Sequence, residues 1–189
     1  MVEIKFDPAK LQKLNNPDRL QDLPPEKLMS KLADGGRNTV IELGAGTAFF
    51  SVELLRLTGA STFFCCDISD SMLRWMEENI VPAYPQIHPV KTEEVKLPFE
   101  SDFADLIYTI NVHHEFKSPV ESLLEMYQVL KPGGEIFVAD WLKKEMQQGP
   151  PQSIRYTAEA VALQLKETGF QRIEIHNIFE KHLFVTASK

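Results

Sequence analysis

The chain is 189 residues long, with 43% apolar and 25% charged residues. That is the balance of one globular domain with a sizeable core, and it excludes a disordered, collagen-like or disulfide-stapled chain. The 20 basic and 27 acidic residues leave a formal charge of −7, which speaks against nucleic acid as the main partner, because phosphates are gripped by clustered Lys and Arg.

In chain order, the start MVEIKFDPAK lacks the apolar run of a signal peptide. Asp7-Pro8 reads as a helix start, a cap followed by Pro at the first helical position. Pro17, Pro24 and Pro25 punctuate the stretch beyond it. A second helix is expected from Pro25 to about Leu32, ended by Asp34-Gly35-Gly36. Residues 1–36 therefore read as an N-terminal helical arm or lid ahead of a main domain at 37–189.

From Asn38 onward the apolar pattern predicts strands over 39–43, 62–66, 87–91, 103–110 and 136–139. Helices are expected over 48–57, 70–80, 119–130 and 157–168, the last capped by Thr157. Such alternation makes a parallel sheet covered on both faces. Two closing strands, 172–178 and 182–186, are separated only by Phe179, Glu180 and Lys181. That gap cannot hold a crossover helix, so the pair is an antiparallel hairpin. The expected fold is α/β, a Rossmann-like doubly wound sheet of about seven strands, parallel except for its last. The most apolar stretch, 39–57, is broken by Glu42, Glu53 and Arg56, which excludes a bilayer span there. Cys65 and Cys66 are strand neighbours that point to opposite faces and do not pair. No Cys or His spacing suggests a metal site, and a cytoplasmic location is the default expectation.

The first strand runs into Glu42-Leu43-Gly44-Ala45-Gly46-Thr47-Ala48. Glycines at 44 and 46 let the backbone bend and approach a ligand, and the helix after the turn offers free N–H groups. The next strand ends in Asp67, about 20 residues on, where a carboxylate can chelate two ribose hydroxyls. A nucleoside-containing cofactor is therefore expected at the carboxyl ends of the first two strands. A dinucleotide site wants a small third residue in its G-x-G-x-x-G turn, and Phe49 stands there. The bulk of Phe49 opposes a pyrophosphate and favours a cofactor with an adenosine and no phosphate.

Taken together these motifs resemble those of the class I S-adenosylmethionine-dependent methyltransferases. The resemblance rests on Glu42, Gly44, Gly46 and Ala48 (for the family's third Gly), on Asp67-Ile68-Ser69 with Met72-Leu73, and on Leu97-Pro98-Phe99. It extends through Phe103-Ala104-Asp105-Leu106-Ile107, with one Ala inserted, and Val129-Leu130-Lys131-Pro132-Gly133-Gly134, over roughly residues 38–187. The branch it looks most like includes the quinone-ring C-methylating enzymes. The resemblance implies S-adenosylmethionine as cofactor and a small-molecule methyl acceptor. It implies that Gly44, Ala45 and Gly46 admit the methionine portion, and that Glu42 orients its ammonium group. Asp67 would take the ribose, Ile68 and Met72 would pack on the adenine, Glu93 or Glu94 would reach the adenine amino group, and Asn111 would offer backbone groups near the methionine end.

The strip Asn111-Val112-His113-His114-Glu115-Phe116 would face the transferring methyl, and it is not the Asn/Asp-Pro-Pro-Tyr/Phe motif that grips a nucleobase. His113 or His114 is the candidate general base, since imidazole titrates near neutral pH. Trp141, Lys143, Lys144 and Arg155, on the long loop after 136–139, would hold an anionic or aromatic acceptor, with Phe6, Leu11 and Leu14 of the arm covering it. A non-catalytic cofactor-binding protein and a dinucleotide-dependent oxidoreductase remain the alternatives at this level.

Overall fold

The computed structural model describes residues 8–189, with side chains from Leu11 onward. The Asp7 cap and Phe6 lie outside the described residues. The arm holds three short helices: α1 (Pro8–Leu14), α2 (Asp18–Asp22) and α3 (Pro25–Met29). The middle one is not expected from the sequence pattern: Pro17 looks like a breaker but sits at the helix entrance, where its missing N–H costs nothing.

Seven strands form one sheet in the order β3-β2-β1-β4-β5-β7-β6, with β1 (Thr39–Leu43), β2 (Thr62–Asp67), β3 (Ile87–Lys91), β4 (Ala104–Ile110), β5 (Leu130–Trp141), β6 (Gln171–Ile175) and β7 (His182–Ser188). All neighbours are parallel except that β7 runs antiparallel to both β5 and β6; β6 ends at Ile175, so the connection is residues 176–181 rather than the expected three, still too short for a crossover helix. Helices α4 (Phe49–Thr58), α5 (Asp70–Asn79), α6 (Pro119–Val129) and α7 (Ala158–Glu167) cover the two faces. The expected cap at Thr157 accepts from the Ala160 N–H at 3.2 Å; α5 has a cap not read from the sequence, Ser69, through the Met72 N–H.

Several boundaries differ, among them the ends of α3 at Met29 and of β6 at Ile175, and two have a local cause. β5 starts at Leu130 rather than Ile136 because the Lys131-Pro132-Gly133-Gly134 turn is itself paired. The Gly133 N–H donates to the Lys189 carbonyl and the Lys189 N–H to the Gly134 carbonyl, both at 3.0 Å. Asp105 fastens the same corner, accepting from the Thr39 N–H and from Lys131 Nζ. α4 begins at Phe49 rather than Ala48, because Ala48 is left-handed at φ 56° and ends the glycine turn.

Cys65 and Cys66 fall in opposite layers of the core, unpaired and buried. On one face Phe50, Leu54, Phe63 and Met76 pack together with Leu23, Leu28 and Leu32. Burial of a leucine is worth about 1.5–3 kcal/mol, so the later part of the arm is anchored in the core and is no loose lid. On the other face Ile41, Ile107, Ile136 and Val185 meet Leu123, Met126, Val161 and Leu165. Among the described residues no helix is long and apolar enough to cross a membrane.

Candidate active site

Parallel strands deliver their carboxyl ends to one edge, and the reversal of strand order between β1 and β4 opens a crevice there. The crevice is a cavity of about 1070 Å³. Glu42, Gly44, Ala45 and Gly46 from the β1 turn, Asp67, Ile68 and Met72 from the end of β2 and start of α5, Glu93 and Glu94 after β3, and Asn111 and His114 after β4 all line it.

The turn is held by the Gly44 and Ala45 N–H groups, which both donate to the Cys66 carbonyl at 2.8 and 2.9 Å. Gly44 lines the cavity, and the protein itself also requires a glycine there. Its φ is +78°, and a Cβ there would lie 2.5 Å from Cγ2 of Val112, so the glycine makes room for the segment after β4. Gly46, at φ +57°, faces Leu14 of the arm, 3.6 Å from where a Cβ would stand. Leu14 therefore covers the cofactor turn rather than the acceptor side.

Glu42 is fully buried. It accepts from the Tyr108 hydroxyl at 2.8 Å and from the Ser51 hydroxyl. Burial raises its pKa to about 7, against the opposing pull of those two hydrogen bonds and of Arg19. Arg19, on α2, reaches into the cavity with its guanidinium 4.8 Å from the Phe50 ring centroid and 5.5 Å from that of Phe49. Neither Tyr108, Ser51 nor Arg19 carries a signal in the sequence. Tyr108 faces Glu42 only through the β1–β4 register, and the arm's path has no local marker.

Asp67 accepts the Gly46 N–H on Oδ2 and the Ser69 N–H on Oδ1, both at 2.8 Å. Its carboxylate is thus fixed, with a second lone pair on each oxygen left for ribose hydroxyls. Ile68 is 56% exposed, an apolar side chain offered to a flat ring. Glu94 is tied to Lys117 at 2.6 Å, whereas Glu93 makes no ion pair with a described residue.

Two buried oxygens on the cavity wall, Thr92 Oγ1 and Asn111 Oδ1, have no partner among the described residues. Orphans of this kind are satisfied by a polar ligand, and with Asp67 and Ile68 they suit a nucleoside with a polar tail. The Asn111 N–H, expected to face the methionine end, is taken by the Ala139 carbonyl at 2.8 Å; its side chain is what remains for a ligand. Thr92 is a further residue that sequence alone does not single out.

The two histidines part company. His113 is 0% exposed. It packs edge-on against Phe116 and Tyr156 with Nε2 on Gln164 at 2.8 Å, and does not line the cavity. Burial pushes its pKa below the usual histidine value. His114 lines the cavity, and its Nδ1 lies 2.8 Å from Asp140 Oδ1, while its backbone N–H donates to Asp140 Oδ2, also at 2.8 Å. The Trp141 N–H donates to the same carboxylate at 2.7 Å. A carboxylate only accepts, so a proton sits on Nδ1; Nε2 is hydrogen-bonded to no described residue and lies 3.6 Å from Glu115 Oε1.

The loop after β5 differs from expectation. Arg155 is 4% exposed and spends its donors on the carbonyls of Leu142, Lys144, Gln148 and Pro150. It staples the loop and does not reach an acceptor. Lys143 is exposed and Lys144 donates to the Glu180 carbonyl; neither lines the cavity. Trp141 does line it, against Gly149, where a Cβ would come within 2.7 Å of the indole. Among the described residues no group of acidic, His or Cys side chains is arranged to hold a metal.

With this geometry in view, comparison with known proteins is specific. The methyltransferase-domain family matches residues 41–138, and the chain belongs to the class I S-adenosylmethionine-dependent methyltransferases. S-adenosylmethionine is accordingly its methyl donor. It is 28% identical to a SAM-dependent methyltransferase from Aquifex aeolicus, with a TM-score of 0.87 over 97% of this chain and 98% of that one. Human N-acetylserotonin methyltransferase in complex with SAM shares the fold, at a TM-score of 0.75 and 18% identity over 95% of this chain and 55% of that one. Among curated proteins it is similar to the ubiquinone/menaquinone biosynthesis C-methyltransferase UbiE of Klebsiella pneumoniae, at 24% identity over 74% of this chain, and to that of Vibrio campbellii, at 25% over 74%. The chain spans 69% and 66% of the length of those two relatives.

Proposed function

We propose that this methyltransferase acts on a small molecule bearing an ionisable hydroxyl, with His114 as the general base. The observation that carries this reading is the His114–Asp140 pair, with Nδ1 and Oδ1 2.8 Å apart, on the wall of the cavity that Glu42 and Asp67 also line. S-adenosylmethionine supplies a sulfonium-bound methyl group, an electrophile that needs an electron-rich partner held in line. His114 Nε2 takes the acceptor's hydroxyl proton, and Asp140 stabilises the imidazolium that results. The freed electron pair, on the oxygen or on a conjugated ring carbon, would take the methyl as its bond to sulfur breaks and S-adenosylhomocysteine leaves; a methylated ring carbon would then give up its hydrogen as a proton. Trp141 and Phe116 give the same cavity aromatic walls, suited to a planar acceptor. The similarity to C-methyltransferases named for quinone biosynthesis supports an aromatic hydroxyl compound. In this reading residues 1–36 serve as the lid: Leu14 and Arg19 line the cavity, and Leu23, Leu28 and Leu32 tie the segment to the core.

Turnover is measured as S-adenosylhomocysteine release over a panel of phenols, hydroquinones and aliphatic alcohols. Phenols and hydroquinones are expected to support it and His114→Ala to lower it by about 10²-fold or more. Equal turnover by the His114→Ala variant would leave proximity alone as the mechanism.

A further inference from the structure

The cavity contains cations as well as acids, and they are not equally committed. Lys117 is paired with Glu94 at 2.6 Å, and Lys181 with Asp22 at 2.9 Å. Arg19 makes no ion pair with any carboxylate among the described residues. Its one side-chain hydrogen bond to a described residue is from Nη1 to the carbonyl of Leu14, and a guanidinium has five donors. It is half-buried, seated on Phe49 and Phe50, the residues that open α4 directly after the glycine turn. The nearest acid on that side, Glu42, already accepts from Ser51 and Tyr108.

A positive group is therefore held facing the cavity, its remaining donors directed at no protein anion among the described residues. Such groups are anion receptors, and a guanidinium takes a carboxylate best, in two parallel bonds. Arg19 lies within electrostatic reach of Glu42, and both line the cavity, which gives a zwitterion a cation for its carboxylate and an anion for its ammonium. Asp67 and Glu93 sit where a neutral nucleoside would donate.

We infer that Arg19 binds the carboxylate at the amino-acid end of the cofactor, which makes the N-terminal arm a part of the cofactor site. The inference rests on S-adenosylmethionine being the ligand of this cavity. It assigns a task to a segment outside the matched family region of residues 41–138. It also makes cofactor selectivity a property of the arm: ligands with the carboxylate are retained, and those without it are lost.

The test is calorimetry on the full chain with S-adenosylhomocysteine, its decarboxylated amine analogue, and 5′-methylthioadenosine, which lacks the amino-acid tail. The unaltered chain should bind S-adenosylhomocysteine at least tenfold more tightly than the amine analogue. Arg19→Gln should weaken S-adenosylhomocysteine at least tenfold and leave 5′-methylthioadenosine within twofold, and Arg19→Lys should recover part of the loss. Equal loss of both ligands in Arg19→Gln would show that the residue only packs the arm, and no loss of either would overturn the assignment. Equal affinity of the unaltered chain for S-adenosylhomocysteine and the amine would overturn it without any variant having to fold. Failure of the unaltered chain to bind S-adenosylhomocysteine at all would overturn the cofactor assignment itself, and this inference with it.

Discussion

Tyr108 stands directly opposite Glu42 across the β1–β4 ladder, and its hydroxyl donates to Glu42 Oε2 at 2.8 Å. Ser51 donates to the same oxygen, and the Cys65 thiol donates to Ser51 at 3.1 Å. A carboxylate is thus buried under the cofactor cavity with its own donors in place, and burial still raises its pKa to about 7. Half the molecules hold that proton at neutral pH.

A cationic ammonium arriving beside Glu42 favours the ionised form, so binding should expel the proton. At pH 7 about half a proton should be released per S-adenosylhomocysteine bound. Calorimetry in two buffers of different ionisation enthalpy reads this directly. Glu42→Gln should remove the buffer dependence and weaken binding by roughly tenfold, the scale of one charge-assisted hydrogen bond. Binding heats that do not change with buffer would place the ammonium elsewhere.

Asp67 has two duties, since its oxygens accept the Gly46 and Ser69 N–H groups and face the cavity. Asp67→Ala should weaken S-adenosylhomocysteine by about 2–3 kcal/mol. It should also lower stability by about 1–3 kcal/mol, because two backbone donors lose their acceptor. Asp67→Asn keeps an acceptor oxygen and should recover part of the stability while binding stays weak. Thermal unfolding with and without ligand separates the two losses, and an Asp67→Ala variant that binds like the parent would remove the ribose assignment.

The fold was legible because its signals are local. Strand-length apolar runs, the cap at Thr157, and a connection before His182 too short for a helix each act over a few residues. What escaped depends on partners far along the chain. The Lys131–Gly134 turn pairs with Lys189, Tyr108 meets Glu42 through sheet register, and Gly44 also makes room for Val112. The site was legible at Glu42 and Asp67, where a carboxylate at a strand end has a chemical meaning by itself. It was not legible in choosing between His113 and His114, since that depends on which ring meets Asp140, a residue 26 positions away.

That choice is open to kinetics. His114→Ala and Asp140→Asn should each lower kcat/KM by about 10²–10⁴-fold, with Asp140→Asn acting by offering an amide in place of the carboxylate that holds the Nδ1 proton. His113→Ala removes a fully buried ring packed on Phe116 and Tyr156, so it should lower stability by a few kcal/mol and keep most of kcat/KM in the molecules that stay folded. A kcat/KM that survives His114→Ala and is lost in a folded His113→Ala would reverse the roles.

Glu42 and His182 should pull stability in opposite directions over one pH window. Glu42 rises from 4.5 to about 7, so between those values the unfolded chain ionises while the native one keeps its proton, and stability falls as pH rises. His182 is 2% exposed, its ring centroid 4.4 Å from that of Trp141 and neither nitrogen hydrogen-bonded to a described residue. Burial lowers its pKa from 6.5 to about 4. Its stabilising contribution is complete above pH 6.5 and is lost as pH falls toward 4, because only the unfolded chain takes up the proton. Each effect amounts to about 3 kcal/mol across its window, so these two contributions should nearly cancel in the unaltered chain. Urea unfolding at about pH 4.5 and pH 7 should show this: Glu42→Gln becomes more stable as pH rises, while His182→Phe, which keeps a ring against Trp141, becomes less stable. Identical pH dependence in both variants would mean that neither group keeps its buried protonation state in the native chain.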